Sequence, residues 1–136
     1  MRKLIVLLFC LFPTLAWSQQ LPYPPGSAPV TISTTATIGA FSVILPAVTG
    51  RTTYLCGFIV SSAGTTTGLA AAGTITGTIS GTLNFTYAFV SSGQGLLGMS
   101  LPNCIPASGQ NQTITISVPA GSTGTVASLF AWGFQL

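Results

Sequence analysis

Apolar and polar positions alternate with a period of two along most of this chain, the pattern of strands that bury one face. Residues 31–38 form a Thr-rich segment that ends near Ile38. Phe41, Val43 and Leu45 then alternate with Ser42 and Ile44 until Pro46 stops the run. In 53–60, Tyr54, Cys56, Phe58 and Val60 fall on one face and Leu55, Gly57 and Ile59 on the other, which predicts a strand buried on both sides. The most regular stretch is 73–90. Ile75, Gly77, Ile79, Gly81, Leu83, Phe85, Tyr87 and Phe89 share one parity, while Thr74, Thr76, Thr78, Ser80, Thr82, Asn84 and Thr86 share the other. An unbroken strand of that length, at about 3.3 Å per residue, exceeds the usual range. A bend or bulge is therefore expected near Gly81.

Segments 61–68, 91–98 and 104–112 read as loops, and 99–102 as a short alternation cut off by Pro102. Ile114, Ile116 and Val118 alternate with Thr and Ser, and 119–122 is turn material. The last strand carries Val126, Phe130, Trp132, Phe134 and Leu136 at even positions, with core packing as the favoured use of Phe130, Trp132 and Phe134. No helical stripe follows residue 18. Seven or eight short strands separated by turns predict an all-β fold, an antiparallel β-sandwich or jelly roll. The echo GTIT, GTIS, GTLN is too short to be a structural repeat. An outer-membrane barrel also ends in an alternating aromatic strand, but it wants longer strands and aromatic girdles at both ends, so it stays a minor reading.

The first residues follow a different logic. Arg2 and Lys3 precede an apolar run over 4–12, Pro13 to Leu15 ends it, and Ala16-Trp17-Ser18 supplies small residues at a cleavage site. That order predicts a secretory signal peptide over 1–18, cut after Ser18. A spanning helix would need about 20 apolar residues, so membrane contact is expected only in passing, during export. Cys10 follows Phe9, where lipid attachment wants a small residue, so a lipoprotein is disfavoured. Residues 19–29, rich in proline, are expected to form an extended arm, and 30–136 a single domain. The roughly 118 residues after the signal can bury a modest core.

Export changes the meaning of the composition. The whole 136-residue chain has three Lys and Arg residues and no Asp, Glu or His. Arg2 and Lys3 leave with the signal, so Arg51 is the one charged side chain of the exported part. Nucleic acid is excluded as a partner, because neutralising phosphates takes several cations. Acid–base catalysis needs a group that titrates near working pH, and a nucleophilic Ser or Thr needs a base beside it. Glycosidase-type carboxylate pairs are absent, and zinc would lack a ligand set. Calcium or magnesium would find only carbonyls and hydroxyls. The expectation is a protein that is not an enzyme and takes no cofactor or metal. Cys56 and Cys104, an even pair in an oxidising compartment, are expected to form a disulfide. Closing a loop of about 48 residues stabilises by roughly 4 kcal/mol at most.

Few residues stand out as binding candidates. Arg51, after Gly50, can hold an anion or stack on an aromatic, although an exposed solubilising role is the plainer one. Trp132, with Phe130 and Phe134, can line a sugar-binding patch. The threonines at 74, 76, 78 and 82 suit an ordered-water or ice surface, but also suit any strand because Thr is β-branched. Asn84-Phe85-Thr86 and Asn111-Gln112-Thr113 match the glycosylation sequon.

The runs TTYLCGF at 52–58, CIPAS at 104–108 and AWGFQL at 131–136 resemble small uncharacterised secreted β-sandwich proteins of bacterial and phage-associated origin. Some of those have the jelly-roll character of phage virion accessory proteins. The resemblance implies a structural module with no attached chemistry. A signal peptide is unusual in a virion protein and favours a cell-exported product. Almost no charge keeps copies apart, and uncharged strand edges invite pairing. The expected function is a non-catalytic structural or adhesive module, secreted, periplasmic or on a cell surface or virion, that forms a homo-oligomer. The alternative is a lectin-like module for a glycan or other cell-surface ligand, using the 91–98 loop and the aromatics near Trp132.

Overall fold

The computed structural model describes residues 23–37, 39–64, 68–90, 93–121 and 123–136. The expected signal peptide and the first residues of the arm, 19–22, lie outside the described residues. Eight strands follow one another: β1 (Ala28–Thr37), β2 (Phe41–Leu45), β3 (Thr53–Ala63), β4 (Leu69–Thr78), β5 (Gly81–Phe89), β6 (Gln94–Pro106), β7 (Ile114–Val118) and β8 (Val126–Gln135). They form two four-stranded sheets, ordered β1-β8-β3-β6 and β2-β7-β4-β5. Every pairing is antiparallel. The couples β1–β8, β2–β7, β3–β6 and β4–β5 are those of one long hairpin wrapped into two layers, which is the jelly roll.

The core lies between the sheets. The β2-β7-β4-β5 sheet supplies Phe41, Val43, Leu45, Ile75, Phe85, Tyr87, Phe89, Ile114, Ile116 and Val118. The opposite sheet supplies Leu55, Phe58, Val60, Ala127, Leu129 and Ala131. Phe58 and Phe85 meet across the interface with ring centres 4.8 Å apart. Along most of each strand inward and outward residues alternate, as the pleat requires.

Several expectations need correcting. The 73–90 stretch is not one bent strand but a hairpin, with Thr78 opposite Gly81, Ile79 and Ser80 at its tip and an irregular register between Ile75 and Thr78. Gly77 and Gly81 have φ of 82° and 79°, a backbone region that side chains with a Cβ rarely enter. Two residues in that region reverse the chain, so Thr78 turns inward and Ile79 is 67% exposed. Strand β3 runs to Ala63, into the expected 61–68 loop. Strand β6 absorbs most of the expected 91–98 loop and the start of the 104–112 loop. Pro102 does not end β6, because an edge strand tolerates a residue without an N–H. The described part of the arm is turned rather than extended: the Ser27 N–H and hydroxyl both donate to the Pro24 carbonyl, with Gly26 at φ 84°. The sheet then begins at Ala28, ahead of the expected start at residue 30.

Strand β3 holds the largest departure. Leu55 pairs with Gly133 and Gly57 with Trp132, which leaves Cys56 as an extra residue. This bulge reverses the parity. Thr53 and Leu55 face inward before it, and Phe58, Val60 and Ser62 after it. The strand is thus not buried on both sides along its length, and Ile59 is an outward residue. On the other flank, Leu55 pairs with Ile105 and Gly57 with Ser100, so 101–104 arch away. Cys104 returns from that arch to form the disulfide with Cys56.

Candidate functional site

The two outer faces are where a partner or ligand would meet this chain. On β8, Ala127, Leu129 and Ala131 point into the core. Val126, Ser128, Phe130 and Trp132 therefore point out. The expectation that Phe130 and Trp132 pack the core is overturned: Phe130 is 40% exposed, against 0% for Leu129. Both parities of β8 are apolar, so alternation alone does not choose between them. Across the interface, Phe85 meets Phe58 and Tyr87 reaches Ser62, both on β3, and the Phe85 ring lies over Gly73, where a Cβ would fall 2.2 Å from it.

Pairing registers give the outer face row by row. Thr31 lies beside Trp132, Gly57 and Ser100. Ser33 lies beside Phe130, Ile59 and Gly98, and Thr35 beside Ser128, Ser61 and Leu96. Thr37, Val126, Ala63 and Gln94 complete the next row. The result is a hydroxyl column on β1, an aromatic column on β8 and a bed of mostly small residues on β3. Phe130 and Trp132 stack with ring centres 5.8 Å apart and planes 25° off parallel. Trp132 lies across Gly57, where a Cβ would fall 2.2 Å from its ring. Glycine there is thus what lets the indole lie flat on the sheet. Phe134 stacks on Tyr54 at 4.6 Å and tilts against Tyr23 at 5.4 Å, so it is buried, as expected of core packing, though apart from the main inter-sheet cluster.

Beyond Phe130 the face continues as a groove of about 290 Å³ lined by Thr35, Ser61, Gln94, Leu96 and Ser128, among others. The Ser61 and Ser128 hydroxyls share a hydrogen bond of 2.6 Å on its floor. The Tyr87 hydroxyl donates to Ser62 Oγ at 2.6 Å just beneath. Burial raises the Tyr87 phenol above its ordinary pKa of 10.0, and the Ser62 hydrogen bond partly opposes that rise.

The other outer face is hydroxyl-rich. Ser42, Ser117, Thr74 and Asn84 form one row, and Ile44, Thr115 and Thr76 the next. Of the threonines singled out from sequence, Thr74, Thr76 and Thr82 lie outward, but Thr78 is buried and donates to the Gly81 carbonyl. Asn84 is exposed in mid-strand. Asn111 stands at φ 60° and its Oδ1 accepts from the Gly50 N–H.

Arg51 and Trp132 are not brought together. Arg51 sits at one end of the sandwich, where its carbonyl accepts from Asn111 and the adjacent Thr52 exchanges backbone hydrogen bonds with Leu136. The Thr52–Leu136 level is roughly 13 Å along β8 from Trp132. Cys56 and Cys104, in contrast, are joined. Among the described residues no group of three His, Cys, Asp or Glu could hold a metal. Sequence reasoning missed Gly57, Ser61, Ser128 and Gln94. Gly57 carried a signal, since a glycine within a strand marks a close approach. The serines carried none. No family model matches the chain, no curated protein is significantly similar to it, and no solved structure matches its fold significantly.

Proposed function

We propose that this chain is an exported, non-catalytic structural or adhesive module that self-associates on a cell surface or a virion. The observation that carries this is β5, a nine-residue strand at the edge of its sheet with no charge and no proline. Such an edge offers a row of N–H and C=O groups to another strand, and natural sheets normally blunt it with lysine, proline or a bulge. The disulfide is compatible with an oxidising compartment outside the cytoplasm. The jelly roll itself chooses nothing, since capsid and lectin domains share it. Size exclusion with light scattering on the oxidised exported protein tests the proposal. A discrete multimer or larger particle is expected, and Asn84→Lys, which charges the β5 edge, should shift it toward monomer. A clean monomer at all concentrations would overturn it.

A second reading, a lectin-like module, is favoured by one observation: Phe130 and Trp132 stand side by side on an outer face. The two readings are compatible, because assembled copies would multiply a weak site into useful avidity.

A further inference from the structure

We infer that the outer face of the β1-β8-β3-β6 sheet binds a neutral glycan chain running along β8, with consecutive sugars flat on Trp132 and Phe130 and the chain continuing into the Ser61–Ser128 groove. This rests on the lectin-like reading and names its ligand class and path.

Three features select this occupant. Aromatic rings lying flat offer their negative faces to polarised C–H groups, which the faces of a sugar ring present. The 5.8 Å between ring centres is close to the advance of one sugar residue along a chain. Hydroxyls border the rings: Thr31 and Ser33 beside them on β1, and Thr35, Ser61 and Ser128 in the groove beyond. A purely apolar partner would strand those groups, whereas a polyol satisfies them with neutral hydrogen bonds. The charge pattern excludes other sugars. None of the residues on this face is ionised, so a uronate or sulfated glycan would lose its hydration without gaining a cation, and an amino sugar would gain no anion. A second copy of the chain would have to cover the same hydroxyl column with its own uncharged surface, and the two would compete for the same hydrogen bonds.

The site carries its own probe. The chain holds two tryptophans, and the other, Trp17, lies within the expected signal peptide. Trp132 fluorescence of the exported, oxidised protein would be titrated with hexasaccharides of β-glucan, xylan, mannan and chitin, and with alginate as the anionic control. At least one neutral chain should give a saturable shift that added salt leaves unchanged, while alginate gives none. Phe130→Ala should weaken binding about tenfold, equal to about 1.4 kcal/mol, with the melting temperature nearly unchanged because Phe130 is outside the core. Ser128→Ala should weaken hexasaccharides more than disaccharides, which a merely structural role would not do. No saturable response to any neutral chain would overturn the inference, as would a shift that follows protein concentration instead of sugar. Light scattering on the same samples separates the two ideas. Multimers without a sugar response sink the glycan site and leave self-association, and monomers with one do the reverse.

Discussion

The two outer faces obey the same alternation and end up chemically opposed. On β2-β7-β4-β5, inward positions are mostly apolar, large on β2, β5 and β7 and small at Ala71 and Gly73 of β4, and outward ones are Ser, Thr, Asn or Ala with few exceptions. Burying the wrong parity there would strand a row of hydroxyls. On β1-β8-β3-β6, β8 is apolar at both parities and β3 changes parity at Cys56. One face is thus specified by polarity and the other by strand placement and a bulge. Where polarity does not decide, large apolar residues can stay outside, and these are the ones left available to meet something else.

Comparing neighbours on β8 breaks this contrast most sharply. Leu129→Ala should cost about 2–5 kcal/mol of stability by denaturant unfolding, while Phe130→Ala should cost less than about 1 kcal/mol. Equal losses would mean the β8 register is wrong. The disulfide ranks next, because it ties β3 to β6 at the bulge that sets the aromatic face. Cys56→Ser with Cys104→Ser should cost roughly 2–4 kcal/mol, and should disturb Trp132 fluorescence before the hydroxyl sheet melts. Changes on the hydroxyl face should be small: Thr74→Val or Thr76→Val should stay within about 0.5 kcal/mol. A larger loss would show that this face is covered.

The smallest expected effect is that of pH. No Asp, Glu or His exists to titrate, so stability should be nearly flat from about pH 4 to pH 9. Tyr87 sets the alkaline limit. Its folded pKa lies above the unfolded value, so the folded state favours the neutral phenol. That contribution is fully present below the unfolded pKa and is lost as pH rises through the folded one. Thermal melts should therefore decline above about pH 10, and Tyr87→Phe should flatten that decline. A strong swing between pH 4 and pH 9 would point to a bound partner.

The strand count, the all-β class and the inward set Phe41, Val43, Leu45, Ile75, Phe85, Tyr87, Phe89, Ile114, Ile116 and Val118 were legible in the sequence. Each sits in a run where one parity is apolar and the other polar, and hydration alone sorts such a run. The pairing of Cys56 with Cys104 was legible too, because only those two cysteines follow residue 18, where the expected signal peptide ends. The candidate site was legible only in part. Trp132 and Phe130 stood out as aromatics, but the pattern sent them to the core. Their exposure follows from the inward parity of β8 being taken by Ala127, Leu129 and Ala131, which becomes visible only once the strand is placed between β1 and β3 with the other sheet beneath it. Ser61, Ser128 and Gln94 lie far apart in the chain and become neighbours only through strand pairing. Local alternation thus decided which residues make strands, because water acts on each residue separately. Which apolar face stays in solvent was decided by the tertiary structure, because the place of a strand between its neighbours and over the other sheet belongs to the whole fold and not to that strand alone.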